Sequence, residues 1–159
     1  MSENTRSGME SQCHCTLLRK ASRRISQLYD AALAPSGLKI TQRAILAQIE
    51  RSQPTRVGAL AEALVMDAGG LAHTLKPLVR DRLVETGPDP QDRRNRLIRL
   101  TTKGRAKLRE SDALWQAAQG SFAKGFGGVQ AKALREAMQL LVSEQFAEAF
   151  EANLALARR

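Results

Sequence analysis

Two short segments with helical apolar spacing stand side by side near the middle of the chain, and this pairing constrains the fold more than any other feature. Val57, Leu60, Ala61 and Leu64 mark the first, and Leu71, Leu75, Leu78 and Val79 mark the second. Steps of three and four place each set on one face of a helix. Only Val65 and Met66 intervene before Asp67, whose short carboxylate suits a helix N-cap. Two helices joined this tightly form a helix-turn-helix. Downstream, Leu83-Val84-Glu85-Thr86 and Leu97-Ile98-Arg99-Leu100 read as strands on either side of turn chemistry at Gly87-Pro88-Asp89-Pro90. A strand, a basic loop and a returning strand after a helix-turn-helix make a wing.

The rest of the chain is helical in pattern. Leu18, Ala21, Ile25, Leu28 and Ala32 form one apolar stripe between Cys15 and Ala34, and Pro35-Ser36-Gly37 ends that helix. Thr41 is the expected cap of a second helix that buries Ala44, Ile45, Leu46, Ala47 and Ile49, and Gln53-Pro54-Thr55 reads as a turn. Leu108, Ser111, Trp115, Ala118 and Phe122 predict a single long helix over 103–124, broken by Gly125-Phe126-Gly127-Gly128. Leu134, Met138, Leu141, Phe146, Phe150 and Leu154 predict a last helix over 130–157. Aromatic residues are only 4% of the chain against 43% hydrophobic in all, so Leu, Ala, Ile and Val must fill the core, a mix that favours helices. The expected fold is therefore mainly α: a winged helix-turn-helix whose N- and C-terminal helices form a dimerisation domain. Residues 1–12 are expected to be a flexible tail, 13–53 and 103–159 the helical dimerisation region, and 54–102 the winged helix-turn-helix DNA-binding domain.

Charge points to the partner. The 159 residues carry a formal net charge of +9. A soluble chain this basic is expected to meet a polyanion, of which nucleic acid is the commonest. The excess is local: residues 1–53 hold 8 basic and 4 acidic side chains, 54–109 hold 12 and 6, and 110–159 hold 5 and 6. Arg93, Arg94, Arg96, Arg99, Lys103, Arg105, Lys107 and Arg109 form a run with no acid between them. The near-neutral C-terminal helices suit a protein surface better than DNA. No apolar run approaches the roughly 18 residues of a membrane helix, and Met1 to Gln12 lack the apolar centre of a signal peptide. These features lead to the expectation of a cytoplasmic protein that does not engage a membrane.

Candidate DNA contacts follow from position. Asp67-Ala68-Gly69-Gly70 opens the second motif helix with small side chains, which would let backbone N–H groups approach phosphates and base edges. His73, Thr74, Lys76 and Arg80 offer polar tips away from Leu71, Leu75 and Leu78. Pro77 removes one backbone hydrogen bond inside this helix, so a local bend is expected. In the wing, Arg93, Arg94 and Arg96 suit the narrow minor groove, where negative potential is focused. Asp92 is better placed to orient a neighbouring arginine than to meet phosphate. A set of ordinary surface helices and a solvated charged loop remain the plainer reading of the same residues.

The order of these elements, with Leu60-Ala61-Glu62 in the first motif helix, Asp92-Arg93-Arg94 in the wing and Leu100-Thr101-Thr102-Lys103-Gly104 after it, resembles the multiple-antibiotic-resistance-regulator (MarR) family over roughly residues 15–150. The resemblance implies a winged-helix homodimer on double-stranded DNA with interlocking first and last helices. It also implies repression through a pseudo-palindromic operator, relieved by a small aromatic acid or its thioester, or by oxidation. It would place Arg94 at the wing tip in the minor groove and residues 67–80 in the major groove. Gly69-Gly70 and Pro77 depart from the Ser/Thr-rich recognition helix common in the family.

Cys13-His14-Cys15 raises the question of a signal. Cys15 is expected at the start of the first helix, where the helix dipole and free N–H groups lower a thiol pKa, with Arg19 one turn on. A thiolate is the form that an organic hydroperoxide oxidises. The segment Cys15-Thr16-Leu17-Leu18, with Ser22-Arg23 and Tyr29, is similar to the reactive-cysteine helix of the organic-hydroperoxide regulators of that family. There Tyr29 matches one of two tyrosines that hold the cysteine, while Arg19 stands at the other. Two bystander thiols at a dimer interface are the alternative. Cys13, His14 and Cys15 stand too close together to supply three tetrahedral ligands, and His73 is the only other histidine, so neither metal nor cofactor is expected. Ser121-Phe122-Ala123-Lys124 matches Ser-x-x-Lys without any companion motif, and no phosphate loop or nucleophile elbow is present. The expectation is a regulator rather than an enzyme. A non-specific architectural DNA-binding protein is the alternative.

Overall fold

The computed structural model describes residues 13–92 and 95–158. The expected 1–12 tail and the wing-tip residues Arg93 and Arg94 lie outside the described residues. In chain order the elements are α1 (His14–Leu33), a short 3-10 turn (Ala34–Ser36), α2 (Ile40–Ser52), β1 (Thr55–Arg56), α3 (Val57–Ala63), α4 (Ala68–Arg80), β2 (Val84–Pro88), β3 (Arg96–Leu100), α5 (Thr102–Glu110), α6 (Asp112–Phe126), α7 (Gly128–Leu141) and α8 (Glu144–Ala157). The chain divides into two compact units, Met1–Trp115 and Gln116–Arg159. The fold class matches the sequence expectation: helices with a small antiparallel wing.

In the first unit the core is a cluster of leucine and isoleucine. Ile45, Leu46 and Ile49 of α2, Leu60 of α3, Leu71, Leu75 and Leu78 of α4, and Ile98 and Leu100 of β3 pack together with Leu83, Val84 and Leu108. Burying a Leu or Ile side chain is worth about 1.5–3 kcal/mol, so this cluster holds the motif helices against the sheet. Ala44 and Val79, expected on buried faces, are exposed. Each lies one position off the stripe that the helix turns inward.

Local chemistry sets the ends of the helices. After α1, Ser36 is buried, and its hydroxyl donates to the Leu33 carbonyl at 2.7 Å while accepting the Leu38 N–H at 3.3 Å. Gly37 follows at φ 72°, a left-handed conformation that a side chain would resist. Thr41 is not the cap of α2. The helix begins one residue earlier, because Gln42 Oε1 accepts the Lys39 N–H at 2.9 Å and Asp30 of α1 accepts the Ile40 N–H at 2.7 Å. Asp67 caps α4 as expected, accepting the Gly70 N–H at 2.8 Å. The residues that bound α4 take left-handed conformations without glycine: Val65 at φ 51° and Arg82 at φ 59°.

The wing is a three-stranded sheet in the order β1-β3-β2. Thr55, read from sequence as part of a turn, and Arg56 pair with Ile98 and Leu97 as a third, two-residue strand too short to leave a periodic signal. β2 and β3 pair antiparallel from Val84↔Leu100 to Pro88↔Arg96. Asp89 roots the loop: it is buried, accepts Arg56 at 2.9 Å through one oxygen, and accepts the Gln91 N–H through the other. The Gln91 N–H, then the Arg56 guanidinium, holds the Asp89 carboxyl below its ordinary pKa. Asn95 closes the loop, accepting the Asp89 N–H through its carbonyl and donating from its amide to Asp92 at 2.9 Å.

The Leu-Thr-x-x-Gly stretch after the wing has a mechanical explanation. Thr101 accepts the Gly104 N–H at 2.9 Å and donates to the Arg82 carbonyl at 2.7 Å, so one hydroxyl caps α5 and fastens it to the end of α4. Gly104 then lies against the Leu83 backbone, where a Cβ would overlap the carbonyl oxygen.

The expected single helix over 103–124 is two, α5 and α6, broken at Ser111. Arg43 is buried beneath this joint, a side chain absent from the apolar periodicity. The expected last helix over 130–157 is also two. In the second unit α7 ends at Leu141, and Ser143 caps α8 by accepting the Phe146 N–H at 3.2 Å. Stacked Phe122 and Phe126, 5.5 Å apart, and the Phe146–Phe150 pair at 6.3 Å are the ring contacts of that unit. Leu140, Val142, Phe150 and Leu156 remain exposed there, as do Leu17, Leu18 and Leu28 of α1 in the first unit.

Two outcomes follow. Gly104→Ala should lower stability in denaturant melts by about 1–3 kcal/mol, the cost of forcing atoms into a filled space. Thr101→Ala should cost about 1 kcal/mol, the worth of a cap, and Thr101→Ser should restore most of it. A second test concerns pH. A depressed carboxyl pKa adds stability that is complete above the unfolded value, about 4, and fades as pH falls through the folded value. The wild-type denaturation midpoint should therefore fall more steeply below about pH 4 than that of Asp89→Asn.

Candidate nucleic-acid interface

Helix α4 has one face in the core and one in solvent. Leu71, Leu75 and Leu78 are buried, while Ala68, Gly69, His73, Lys76 and Arg80 are exposed. No carboxylate lies between Asp67 and Asp81, so the exposed face carries positive charge and no negative charge. The predicted contacts nevertheless differ in how free they are. Lys76 has no carboxylate partner among the described residues. Arg80 is paired with Asp81 at 2.9 Å, and each charge stabilises the other. Thr74 is half-buried and turns its hydroxyl back to the Gly70 carbonyl at 3.0 Å. The Gly70 N–H, expected to be open to phosphate, is taken by the Asp67 cap. Asp67 itself is occupied as that cap, which leaves Ala68 and Gly69 as the small residues open to a close approach.

The start of α2 adds a contribution not anticipated from sequence. Lys39, Thr41 and Gln42 face His73, Lys76 and Arg80 across an open concavity of about 580 Å³. Lys39 reaches Asp30 at 3.6 Å but remains largely exposed. Reading Thr41 as a cap hid this contribution from the sequence.

In the wing, Arg96 is exposed and donates to the Thr86 hydroxyl at 3.1 Å, lying along the sheet. Arg99 pairs with Glu85 directly across the strands at 2.8 Å. Beyond β3, Lys103 donates to the Asp81 carbonyl at 2.9 Å and Lys107 pairs with Glu110 at 2.7 Å. The acid-free run of the sequence is thus partly neutralised, by Glu85 folded in across the strands and by Glu110 just beyond the run.

The cysteines occupy different positions from those expected. Cys13, not Cys15, is the N-cap residue of α1, and Cys15 falls inside the first turn. Both are free and exposed. The Thr16 hydroxyl and then its backbone N–H, one turn on, hold the Cys13 thiol below its ordinary pKa. Tyr29 lies four turns along α1 from Cys13, far from the thiols, and partial burial raises its phenol pKa. Among the described residues no group of three or more His, Cys, Asp or Glu could hold a metal ion. No helix among them is long and apolar enough to cross a membrane.

The chain is similar to known proteins in both sequence and fold. Residues 36–95 match the sequence profile of the MarR family. The HTH-type transcriptional regulator SarZ of Staphylococcus epidermidis is 32% identical over 91 residues, which cover 57% of this chain and 62% of that protein. The DNA-bound structure of the Mycobacterium tuberculosis transcriptional regulator MosR is 35% identical, with a TM-score of 0.76 over 86% of this chain and 97% of that one. A mutant MarR of Escherichia coli on operator DNA shares the fold at 24% identity, with a TM-score of 0.72 over 80% and 91% of the two chains. With a capped helix-turn-helix, a three-stranded wing and this kinship over most of its length, the chain belongs to the MarR family.

Proposed function

We propose that this protein is a transcriptional regulator, a repressor that binds a pseudo-palindromic operator as a homodimer and releases it when its N-terminal thiols are oxidised. The observation that carries the DNA-binding reading is α4: a well-capped helix, solvent-facing on one side, basic there and free of carboxylates for its whole length. In the proposed complex Ala68 and Gly69 bring the helix start close to the major groove, His73 and Lys76 meet base edges, and Arg80 and Lys39 meet phosphates. Arg93, Arg94 and Arg96 enter the flanking minor groove. Asp67 acts through the cap rather than by contact. The DNA-bound state of MosR supports this reading.

Exposed apolar side chains at both ends of the chain support dimerisation. Leu18 and Leu28 in α1, and Leu140, Phe150 and Leu156 in the second unit, are unusual on a monomer surface. Two heads related by a two-fold axis would read half-sites about one helical turn apart.

Cys13 and Cys15 favour an oxidative signal because both are exposed and one thiol is acidified. A Cys13 thiolate would attack the peroxide oxygen of an organic hydroperoxide, giving a sulfenic acid and releasing the alcohol. The neighbouring thiol would then condense with the sulfenic acid, forming a disulfide and expelling water.

Binding to duplexes selected from a random pool, followed by fluorescence anisotropy against scrambled DNA, tests the reading. Lys39→Gln should reduce the salt slope of binding by about one, and His73→Ala or Lys76→Gln should change the preferred site. Arg94→Ala should weaken binding to every sequence, and an unchanged affinity at moderate salt would remove the wing from the interface. Equal affinity for selected and scrambled DNA would favour an architectural DNA-binding protein. Organic hydroperoxide should abolish selective binding in the wild type, a thiol reductant should restore it, and Cys13→Ser should resist the loss. Indifference to oxidation would shift the signal to a small aromatic acid or its thioester.

A further inference from the structure

Arg43 stands apart from the other cations of the first unit. It is 8% exposed, near the start of core helix α2, and its long side chain runs to the joint where α5 ends and α6 begins. Its Nε donates to Ser111 Oγ at 3.1 Å, its Nη2 pairs with Asp112 at 2.6 Å, and its guanidinium lies 4.4 Å from the centre of the Trp115 ring. One side chain therefore grips three residues of the joint: the break itself, the first residue of α6 and a residue one turn along it. Arginine suits this task because its planar fork satisfies two acceptors while its face stacks on an aromatic ring.

A buried cation is a poor way to gain stability, since the attraction does little more than offset the desolvation. An apolar residue would pack the same space at least as well. The arginine confers direction instead. Ser111 is fully buried, and its hydroxyl already donates to the Leu108 carbonyl at 2.6 Å, so the break in the helix exists without Arg43. What Arg43 adds is a fixed bearing for the first turn of α6, and α6 continues without interruption to Phe126.

We infer that Arg43 is a positioning residue for DNA binding: by clamping the Ser111 joint it fixes the course of α6 and hence the half-site separation that a pair of heads accepts. This rests on the dimeric regulator reading given above. Arg43 is buried and its polar and ring contacts lie at the joint, so its effect on DNA must pass through the joint.

The test uses the full-length protein, a duplex selected from a random pool, and versions of that duplex lengthened or shortened by one base pair between the half-sites. Arg43→Met keeps the volume and leaves no orphan, because Ser111 retains its bond to Leu108 and Asp112 is half exposed to water. Trp115 is the chain's single tryptophan, so its emission reports directly on whether the guanidinium is seated. Arg43→Met should melt near the wild type and shift Trp115 emission. It should lose affinity severalfold for the selected spacing while holding it for the altered ones, so that spacing preference flattens. Asp112→Asn, on the exposed end of the pair, should flatten it in part, and it decides the question if Arg43→Met fails to fold. A wild type that discriminates spacing, with variants that shift Trp115 emission and discriminate equally well, overturns the inference about Arg43 alone. A wild type that binds selected and scrambled DNA equally overturns the regulator reading and this inference with it.

Discussion

Where Gly104 meets the Leu83 backbone, two segments distant in sequence come into contact with no side chain between them. Around that point Thr101 caps α5, ties it to the Arg82 carbonyl just beyond α4, and sets the start of the helix against the start of β2. Helix α4, the wing and α5 therefore share one anchor. A side chain at Gly104 would displace all three at once, because a packed interior passes strain on rather than absorbing it. The leucine cluster beneath supplies the cohesion, but it tolerates rearrangement in ways that this backbone contact does not.

Charge in this molecule divides into structural and available parts. Arg56, Arg43, Arg99 and Lys107 are bound to carboxylates and shape the wing root, the joint, the sheet and α5. Lys76 is left for a partner, with Lys39 only loosely held. Net charge describes attraction to a polyanion at long range, whereas the pattern of pairing decides which cations can release counterions on contact. A count over the sequence overstates the second quantity, because it cannot see Glu85 folding across to Arg99.

Periodicity carried much of the fold in the sequence. The motif helices, the Asp67 cap, the Gly37 stop and the antiparallel wing were all legible, because each has a local cause: apolar spacing, a short carboxylate, a left-handed glycine, turn residues between β-formers. What was not legible depended on partners far away in sequence. Thr41 looks like a cap until Asp30 and Gln42 are seen doing that work from either side. The apolar step runs through Ser111 without a break, since the interruption of the helix there involves a buried hydroxyl and an arginine 68 residues earlier. β1 has two residues and no period to detect. At the candidate interface, the exposure of His73, Lys76 and Arg80 was legible from facing direction alone. The engagement of Gly70, Thr74 and Arg80 with their own neighbours needed hydrogen-bond geometry, and Lys39 needed the concavity it lines.

The conformations of Val65 and Arg82 bear on how the head assembles. Both ends of α4 turn through the left-handed region on residues with a Cβ, and Val65 is β-branched as well, so the free chain has little tendency to make either turn. A glycine there would let the helix pair form early as a local unit. With valine, the turn is stable only once Leu60, Leu71 and the strands beneath have closed around it. The helix-turn-helix should therefore have low φ-values in its turn and high ones in the leucine cluster, with the exposed face of α4 formed last and the core beneath it first.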